Sequence, residues 1–155
     1  MGSAAARAEI DAPIEAVWRV MLDVAEYGAW NPFIVRAEAA PGALVVGSAL
    51  RLHVRWREGG GATSPEVVSA LEAPARGADG IVRARLAYRF EGWLAKAGGV
   101  RGVREQRLWQ REGGPTVYET DEQFTGWLSR FVPLAKVQDG FERHAAALRV
   151  RAEVR

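Results

Sequence analysis

The chain has 155 residues, and its 21 Lys and Arg residues nearly balance 19 Asp and Glu residues, for a formal net charge of +2. It contains no cysteine, which excludes disulfides and thiolate metal sites. Nucleic-acid binding usually requires a concentrated basic patch, so the near-balanced charge argues against such a partner.

A chain of this length predicts one domain, residues 1–155. The first ten residues lack the apolar run of a signal peptide, and no stretch approaches the ~20 apolar residues of a membrane span. Lysine occurs only at Lys96 and Lys136, and this bias toward arginine, with abundant Ala and Gly, favours a GC-rich bacterial genome. We therefore expect a cytoplasmic bacterial protein, monomeric or homodimeric, without a metal or another cofactor.

The first elements along the chain are a strand and a helix. Residues 4–11 have the pattern of a strand, and Asp11 and Pro13 then predict a helix start, with Asp11 as the N-cap. One apolar helix face follows at helical spacing, formed by Ile14, Val17, Trp18 and Met21. Residues 27–33 are predicted to form a loop that carries three aromatic rings.

From residue 34 to about residue 126 the apolar period is two, which is typical of strands with one buried and one solvated face. Two segments show this alternation most clearly, and their apolar positions are Leu50, Leu52, Val54 and Trp56, then Val82, Ala84, Leu86, Tyr88 and Phe90. Segments 34–40, 65–73, 101–111 and 116–126 complete six strands that short turns join into an antiparallel meander.

The last segment returns to helical spacing, with Ser129 as the predicted N-cap. Its apolar stripe consists of Phe131, Leu134, Val137, Phe141, Ala145, Leu148 and Ala152. A helix of roughly 24 residues spans ~36 Å and is the only element long enough to cover the sheet. We interpret Gly140 as a position that leaves room for a strand or a ligand.

These elements predict an α+β fold in which a curved, seven-stranded antiparallel sheet wraps around the long C-terminal helix, with short helical segments between the first two strands. A concave sheet and a straight helix do not match in shape, so side chains or a pocket must fill the gap. The sequence leaves these two alternatives open.

Two N-terminal motifs and one before the last helix carry a resemblance to a known family. They are residues 10–18 (IDAPIEAVW), Tyr27 with residues 30–33 (WNPF), and residues 122–126 (EQFTG). Over nearly the whole chain the sequence resembles the START-like SRPBCC superfamily, with its helix-grip fold, and within it the polyketide cyclase/dehydrase and lipid-transport group. The resemblance implies a hydrophobic cavity between sheet and helix, and it implies no particular reaction.

The catalytic candidates are Glu122, Arg104 and Tyr88. Glu122 shares a strand face with Tyr118 and Phe124, so we expect its carboxylate at the cavity wall, where acid–base chemistry is possible. The favoured alternative is a structural ion pair with Arg104. In residues 101–111 either alternating set can face inward, and we favour the one with Arg104, Gln106 and Leu108.

Aromatic and aliphatic residues on the inward faces are the candidate ligand contacts, although each is more often core filler. The predicted ligand-binding residues are Trp30, Asn31, Phe33, Trp56, Tyr88, Phe90, Gln106, Leu108, Phe124, Leu134, Val137 and Phe141. Trp93 is expected on the inner sheet face, and Trp127 and Phe131 on the helix side. His53 is expected to face water and His144 to lie at the edge of the helix stripe, without a metal.

Three functions are compatible with this sequence. The first is a binding module for a small hydrophobic molecule such as a lipid, a quinone or a polyketide-like aromatic. The second is a cyclase, dehydratase or hydrolase without a metal, which uses polar residues of the cavity. The third is a protein-interaction or co-chaperone domain, which predicts a filled core and an exposed apolar patch.

Overall fold

The computed structural model describes residues 2–154. The strands are β1 (Gly2–Ile10), β2 (Ile34–Ala39), β3 (Ala49–Arg55), β4 (Gly61–Arg76), β5 (Val82–Phe90), β6 (Arg101–Gln110) and β7 (Thr116–Thr125). The helices are α1 (Ile14–Leu22), α2 (Tyr27–Trp30), α3 (Trp93–Lys96) and α4 (Leu134–Glu153), with short 3₁₀ turns at Val24–Glu26 and Ser129–Phe131. None of the helices described for residues 2–154 combines the length and the hydrophobicity of a membrane span.

The strands form one antiparallel sheet in the order β1-β7-β6-β5-β4-β3-β2. Strands β2 to β7 form the predicted meander, and β1 pairs with β7 at the far edge. Strand β4 is longer than the predicted 65–73, and its register shifts twice, between Val68 and Ala70 and between Glu72 and Ala75. Because such irregularities bend a strand, they help the sheet to curl around α4. The predicted helix-grip architecture is confirmed.

The alternation of faces on β6 and β7 follows the expected parity. Arg104, Gln106 and Leu108 are buried and oppose Glu122, Thr120 and Tyr118 across the two strands. The outer face carries solvated ion pairs, such as Arg85 between Glu72 and Glu105. The set that we favoured in residues 101–111 is therefore the inward one.

Helix α4 starts at Leu134, and the prediction that Ser129 caps it is wrong. Ser129 lies in a 3₁₀ turn, and Pro133 separates that turn from the helix because a residue before proline disfavours the helical conformation. The helix thus has 20 residues and spans ~30 Å. Phe131 leaves the apolar stripe and is 67% exposed.

Side-chain hydrogen bonds fasten α4 to both edges of the curled sheet. The Gln138 amide accepts a hydrogen bond from the Ala5 N–H and donates one to the Ala5 carbonyl, at 2.9 and 2.7 Å. Arg143 donates to the carbonyls of Pro32 and Arg55, each at 2.9 Å. The helix is therefore held from both sides.

The predicted apolar face of α1 is buried, but Asp11 does not cap this helix. The helix begins after Pro13, and the side chain of Gln110 on β6 accepts a hydrogen bond from the Ile14 N–H at 3.1 Å. A partner distant in sequence thus satisfies one of the free amides at the helix start.

Candidate functional site

A cavity of about 440 Å³ lies between the inner face of the sheet and the N-terminal half of α4. Its volume falls in the usual range for small-molecule sites, and its walls are predominantly apolar. The sheet contributes Ile34, Leu52, Val54, Ala62, Thr63, Ser64, Glu66, Phe90, Gly102, Arg104, Glu122 and Phe124. The residues that flank β2 and β3, the β5–β6 connection, the β7–α4 connection and α4 contribute Phe33, Trp56, Leu94, Val100, Leu128, Phe131, Val132, Pro133, Val137 and Phe141.

The mouth of the cavity lies where its lining residues are exposed, namely Ala62 and Thr63 on β4 and Phe131 and Pro133 before α4. The connection before α4 packs on the β5–β6 connection, and the Leu128 N–H donates to the Gly99 carbonyl at 2.7 Å. The close approach requires Gly126, since its φ is +107° and a Cβ there would meet the Gly99 carbonyl. This contact shapes one side of the mouth.

One wall depends on a glycine of α4. A Cβ built at Gly140 would overlap the Phe33 ring, so Phe33 occupies the room that Gly140 leaves. The ring centroid of Phe33 lies 6.0 Å from that of Phe141 and 6.1 Å from that of Trp56. Gly140 therefore makes room for a side chain that lines the cavity.

The closed end of the cavity contains a buried arginine. Arg104 is 3% exposed, and its Nε donates to Thr120 Oγ1 at 3.0 Å. Nη2 donates to Tyr118 Oη at 3.4 Å, and Cζ lies 4.1 Å from the centroid of the Phe141 ring. These contacts fix the guanidinium plane.

Two carboxyl groups flank Arg104, and both lie on the cavity wall. Burial raises the pKa of Glu66 to about 8, with a further contribution from Glu122, although Arg104 opposes the shift. Burial also raises the pKa of Glu122 to about 7, again against Arg104. Gly102 leaves room for this group, since a Cβ there would overlap Glu122 Oε2.

The expected ion pair between Glu122 and Arg104 is not formed. Among residues 2–154, no carboxylate oxygen lies within 4.0 Å of the Arg104 guanidinium nitrogens. The two residues are directly opposed on β6 and β7, but Arg104 turns to Thr120 and Tyr118 on the neighbouring strand. The cation and the two acids are therefore close without being paired.

His144 lies behind Arg104 and is fully buried, so the prediction that it lies at the edge of the stripe is wrong. Its Nδ1 is 3.2 Å from Asn31 Nδ2 and 3.4 Å from Arg104 Nη2. Both neighbours are donors, so Nδ1 is the acceptor and the proton resides on Nε2. Burial and the Arg104 charge hold the pKa of His144 well below 6.5, which keeps the ring neutral.

Asn31 and three tyrosines complete this polar layer. Asn31 Oδ1 accepts hydrogen bonds from the Phe33 and Ile34 amides, each at 2.9 Å, and so fixes the chain that carries the Phe33 ring. Tyr118 donates to Gln106 Oε1 at 2.7 Å. Burial raises the pKa values of Tyr27, Tyr88 and Tyr118, so these phenols stay protonated.

The structure divides the predicted site residues into two groups. Those on the cavity wall are Phe33, Trp56, Phe90, Phe124, Val137 and Phe141, with the catalytic candidates Glu122 and Arg104. Those away from the wall are Trp30, Asn31, Tyr88, Gln106 and Leu108, which lie in the layer behind it, and Leu134, which packs near Gly2. Contact of any of them with a ligand stays a prediction.

Sequence reasoning missed Glu66 and misplaced two tryptophans, Trp93 and Trp127, whereas Phe131 lines the cavity from the helix side as predicted. Glu66 shares the parity of the buried residues Val68 and Ala70 on β4, and that alternation would have indicated an inward carboxyl group. Trp93 and Trp127 are 75% and 69% exposed, because both lie in connections rather than on the sheet or on α4.

The fold is shared with solved structures of low sequence identity. A hypothetical protein from Helicobacter pylori matches with a TM-score of 0.71 and 12% identity, over 97% of this chain and 88% of that chain. The Zhui aromatase/cyclase from Streptomyces sp. R1128 matches at 0.70 and 19%, over 98% and 93%. A START superfamily protein from Mycobacterium smegmatis matches at 0.67 and 19%, over 97% of each chain.

A search of curated protein sequences finds no match. The family model described as "Polyketide cyclase / dehydrase and lipid transport" matches residues 1–155. The match spans the sheet, the long helix and the cavity between them. The chain belongs to the polyketide cyclase/dehydrase and lipid transport family.

Proposed function

We propose that this protein binds a small hydrophobic molecule in the cavity between the sheet and α4. The observation that supports this best is a cavity of about 440 Å³ with an apolar wall and three polar groups at its closed end. Burial of apolar area stabilises such a complex by ~25 cal/mol per Å², and the polar groups orient the ligand. The candidates are a lipid, a quinone or a polyketide-like aromatic molecule.

The test uses the neutral fluorescent probe N-phenyl-1-naphthylamine together with native mass spectrometry of the purified protein. Val54→Trp places a large ring into the cavity wall, and we expect it to abolish probe binding. Val103→Trp adds the same ring to the outer face of β6, where Val103 is 39% exposed, and serves as the matched control. Equal probe binding by both variants, with both folded by circular dichroism, would refute the proposal.

A second candidate function is catalysis of the cyclase or dehydratase type. Glu122 and Glu66 favour it, because carboxyl groups with pKa values of about 7 and 8 can both donate and accept protons near neutral pH. In that case Glu122→Gln abolishes turnover of a poly-β-ketone thioester substrate while probe binding remains. Unchanged turnover in both Glu122→Gln and Glu66→Gln would remove the two acids from the mechanism.

The third function, protein interaction, has one observation in its favour and one against it. Trp127 is exposed, as a docking surface requires, but the space between sheet and helix is a cavity instead of a filled core. We therefore rank ligand binding first. Because Trp127 is exposed and lies outside the cavity wall, Trp127→Ser should leave probe binding unchanged.

A further inference from the structure

Within residues 2–154, the positive charge of Arg104 at the closed end of the cavity has no ion-pair partner. Arg104 is 3% exposed, and no carboxylate oxygen of residues 2–154 lies within 4.0 Å of its guanidinium nitrogens. Burial of a cation is unfavourable unless a counter-charge and hydrogen bonds offset the loss of its hydration. The hydrogen bonds of Arg104 are present, but no carboxylate of the described residues forms an ion pair with it.

The hydrogen bonds of Arg104 leave one nitrogen free to meet a ligand. Nε and Nη2 donate to Thr120 and Tyr118, and the Phe141 ring covers one face of the guanidinium. Among the described residues, Nη1 has no hydrogen-bond acceptor, and Arg104 lines the cavity. A hydrogen-bond acceptor on a ligand in the cavity would therefore satisfy Arg104 Nη1.

The neighbouring carboxyl groups add donors rather than a counter-charge. Burial raises the pKa values of Glu66 and Glu122 to about 8 and 7, so below neutral pH both groups carry a proton. Glu66 Oε2 is buried and has no hydrogen-bond partner in the part of the chain that the structure describes. In this state the closed end presents one cation and two O–H donors to whatever fills the cavity.

We propose that the cavity binds a monocarboxylate with an apolar tail, which enters head first and places its carboxylate against Arg104, Glu66 and Glu122. This inference rests on the proposed function, because it names the ligand class of the same cavity. One buried cation matches one negative charge, whereas a phosphate dianion would leave excess charge beside two carboxyl groups. The apolar tail then follows the wall toward Phe131 and Pro133 at the mouth.

The affinity for such a ligand depends on pH in a defined direction. As the pH rises from 6 to 9, Glu122 and then Glu66 ionise, neutralise Arg104 and repel the ligand carboxylate, so the affinity falls. Other groups face this cluster without changing charge in that interval: neutral His144 on α4, and the buried phenols of Tyr27, Tyr88 and Tyr118. The negative charge of Glu91 further raises the pKa of Glu66, and that of Asp121 further raises the pKa of Glu122.

The test compares decanoate with decanol, which has the same chain length but no charge, by competition with N-phenyl-1-naphthylamine. At pH 6 we expect decanoate to bind on the order of tenfold more tightly than decanol, since its hydrogen bonds involve charged groups. Arg104→Gln should abolish this preference. From pH 6 to pH 9 we expect the decanoate affinity of the wild type to fall about tenfold and the decanol affinity to stay constant.

Two further variants keep the test decisive if Arg104→Gln does not fold. In Glu66→Gln/Glu122→Gln the decanoate affinity should no longer change between pH 6 and pH 9. Glu112→Gln, at an exposed position in the β6–β7 turn, is the matched control and should retain the wild-type pH profile. Wild-type protein that binds decanol as tightly as decanoate at pH 6 overturns the carboxylate proposal alone. Wild-type protein that binds no apolar probe at all overturns it together with the proposed function.

Discussion

Replacing Glu66 by glutamine removes a buried carboxyl group whose pKa is raised from 4.5 to about 8. Glutamine keeps the shape and the neutral charge of the protonated acid. We therefore expect the variant to match the wild type closely in stability at pH 5 and to exceed it at pH 9.

The sign follows from proton linkage. Between the unfolded-state pKa of 4.5 and the folded-state value of about 8, the folded protein binds one proton more at Glu66 than the unfolded chain does. The free energy of unfolding therefore decreases as the pH rises through this interval, by ~1.4 kcal/mol per pH unit. Glu66 contributes its full stabilisation below pH 4.5 and loses it by about pH 8.

The interval from pH 6.5 to pH 9 isolates this effect. Below pH 6.5 the unfolded chain protonates His144, and above pH 10 the buried tyrosines resist ionisation that the unfolded chain permits. The folded-state pKa of Glu66 lies about 1.5 pH units above pH 6.5, so the free energy of unfolding should fall by about 2 kcal/mol over that interval. Glu122 contributes less to this fall in stability, because its pKa of about 7 lies close to pH 6.5, where the interval begins.

The measurement is urea unfolding followed by circular dichroism at pH 6.5, 7.5 and 9.0. The free energy of unfolding of the wild type should fall by about 2 kcal/mol more than that of Glu66→Gln across this range. Glu112→Gln should follow the wild type, because its side chain is exposed. Parallel profiles for the wild type and Glu66→Gln would refute the argument that burial controls this carboxyl group.

Three other substitutions test the layer behind the cavity and its wall. Below pH 6.5 the unfolded wild type takes up a proton at His144 and the folded wild type does not, so the free energy of unfolding of the wild type should fall by up to ~1.4 kcal/mol per pH unit. His144→Gln lacks this proton uptake, so its stability deficit relative to the wild type should shrink as the pH falls. Urea unfolding at pH 5 and 6.5 measures the difference between the two proteins, and a constant difference would contradict the argument. Tyr118→Phe leaves Gln106 Oε1 without its donor and should lower the free energy of unfolding by about 1–3 kcal/mol, whereas an unchanged value would contradict the hydrogen bond. Gly140→Ala gains up to ~1 kcal/mol of helix propensity but pushes the Phe33 ring toward the cavity, so probe affinity should fall at least severalfold. Gly140→Ala/Phe33→Leu should restore that affinity, and failure to do so would exclude Phe33 as the cause.

The direction of side chains could be read from the sequence over most of the chain. Alternation on β3 and β5 predicted their buried faces, and helical spacing predicted the buried residues of α1 and of most of α4. This works because a strand or a helix has a fixed period, so local order determines which residues share a face. The same argument placed Arg104 and Glu122 on one face.

The start of α4 and the exposed aromatic residues could not be read in the same way. Apolar spacing continues from Phe131 into the helix, but Pro133 interrupts the backbone, so Phe131 lies in a 3₁₀ turn. Trp93 and Trp127 continue the apolar character of β5 and β7 into the connections, where the strand period no longer applies. A pattern predicts a face only inside the element that it describes.

The sequence by itself determined the curved sheet, the long helix and the faces that meet between them. Only the tertiary structure decided that these faces leave a cavity, that Arg104 turns away from Glu122 toward Thr120, and that His144 is sealed behind it. The physical reason is that the period of a strand or helix determines which way its side chains point, whereas the distance between two elements depends on contacts between residues that are distant in sequence. Here those contacts include Gln138 on Ala5, Arg143 on the Pro32 and Arg55 carbonyls, and Phe33 beneath Gly140.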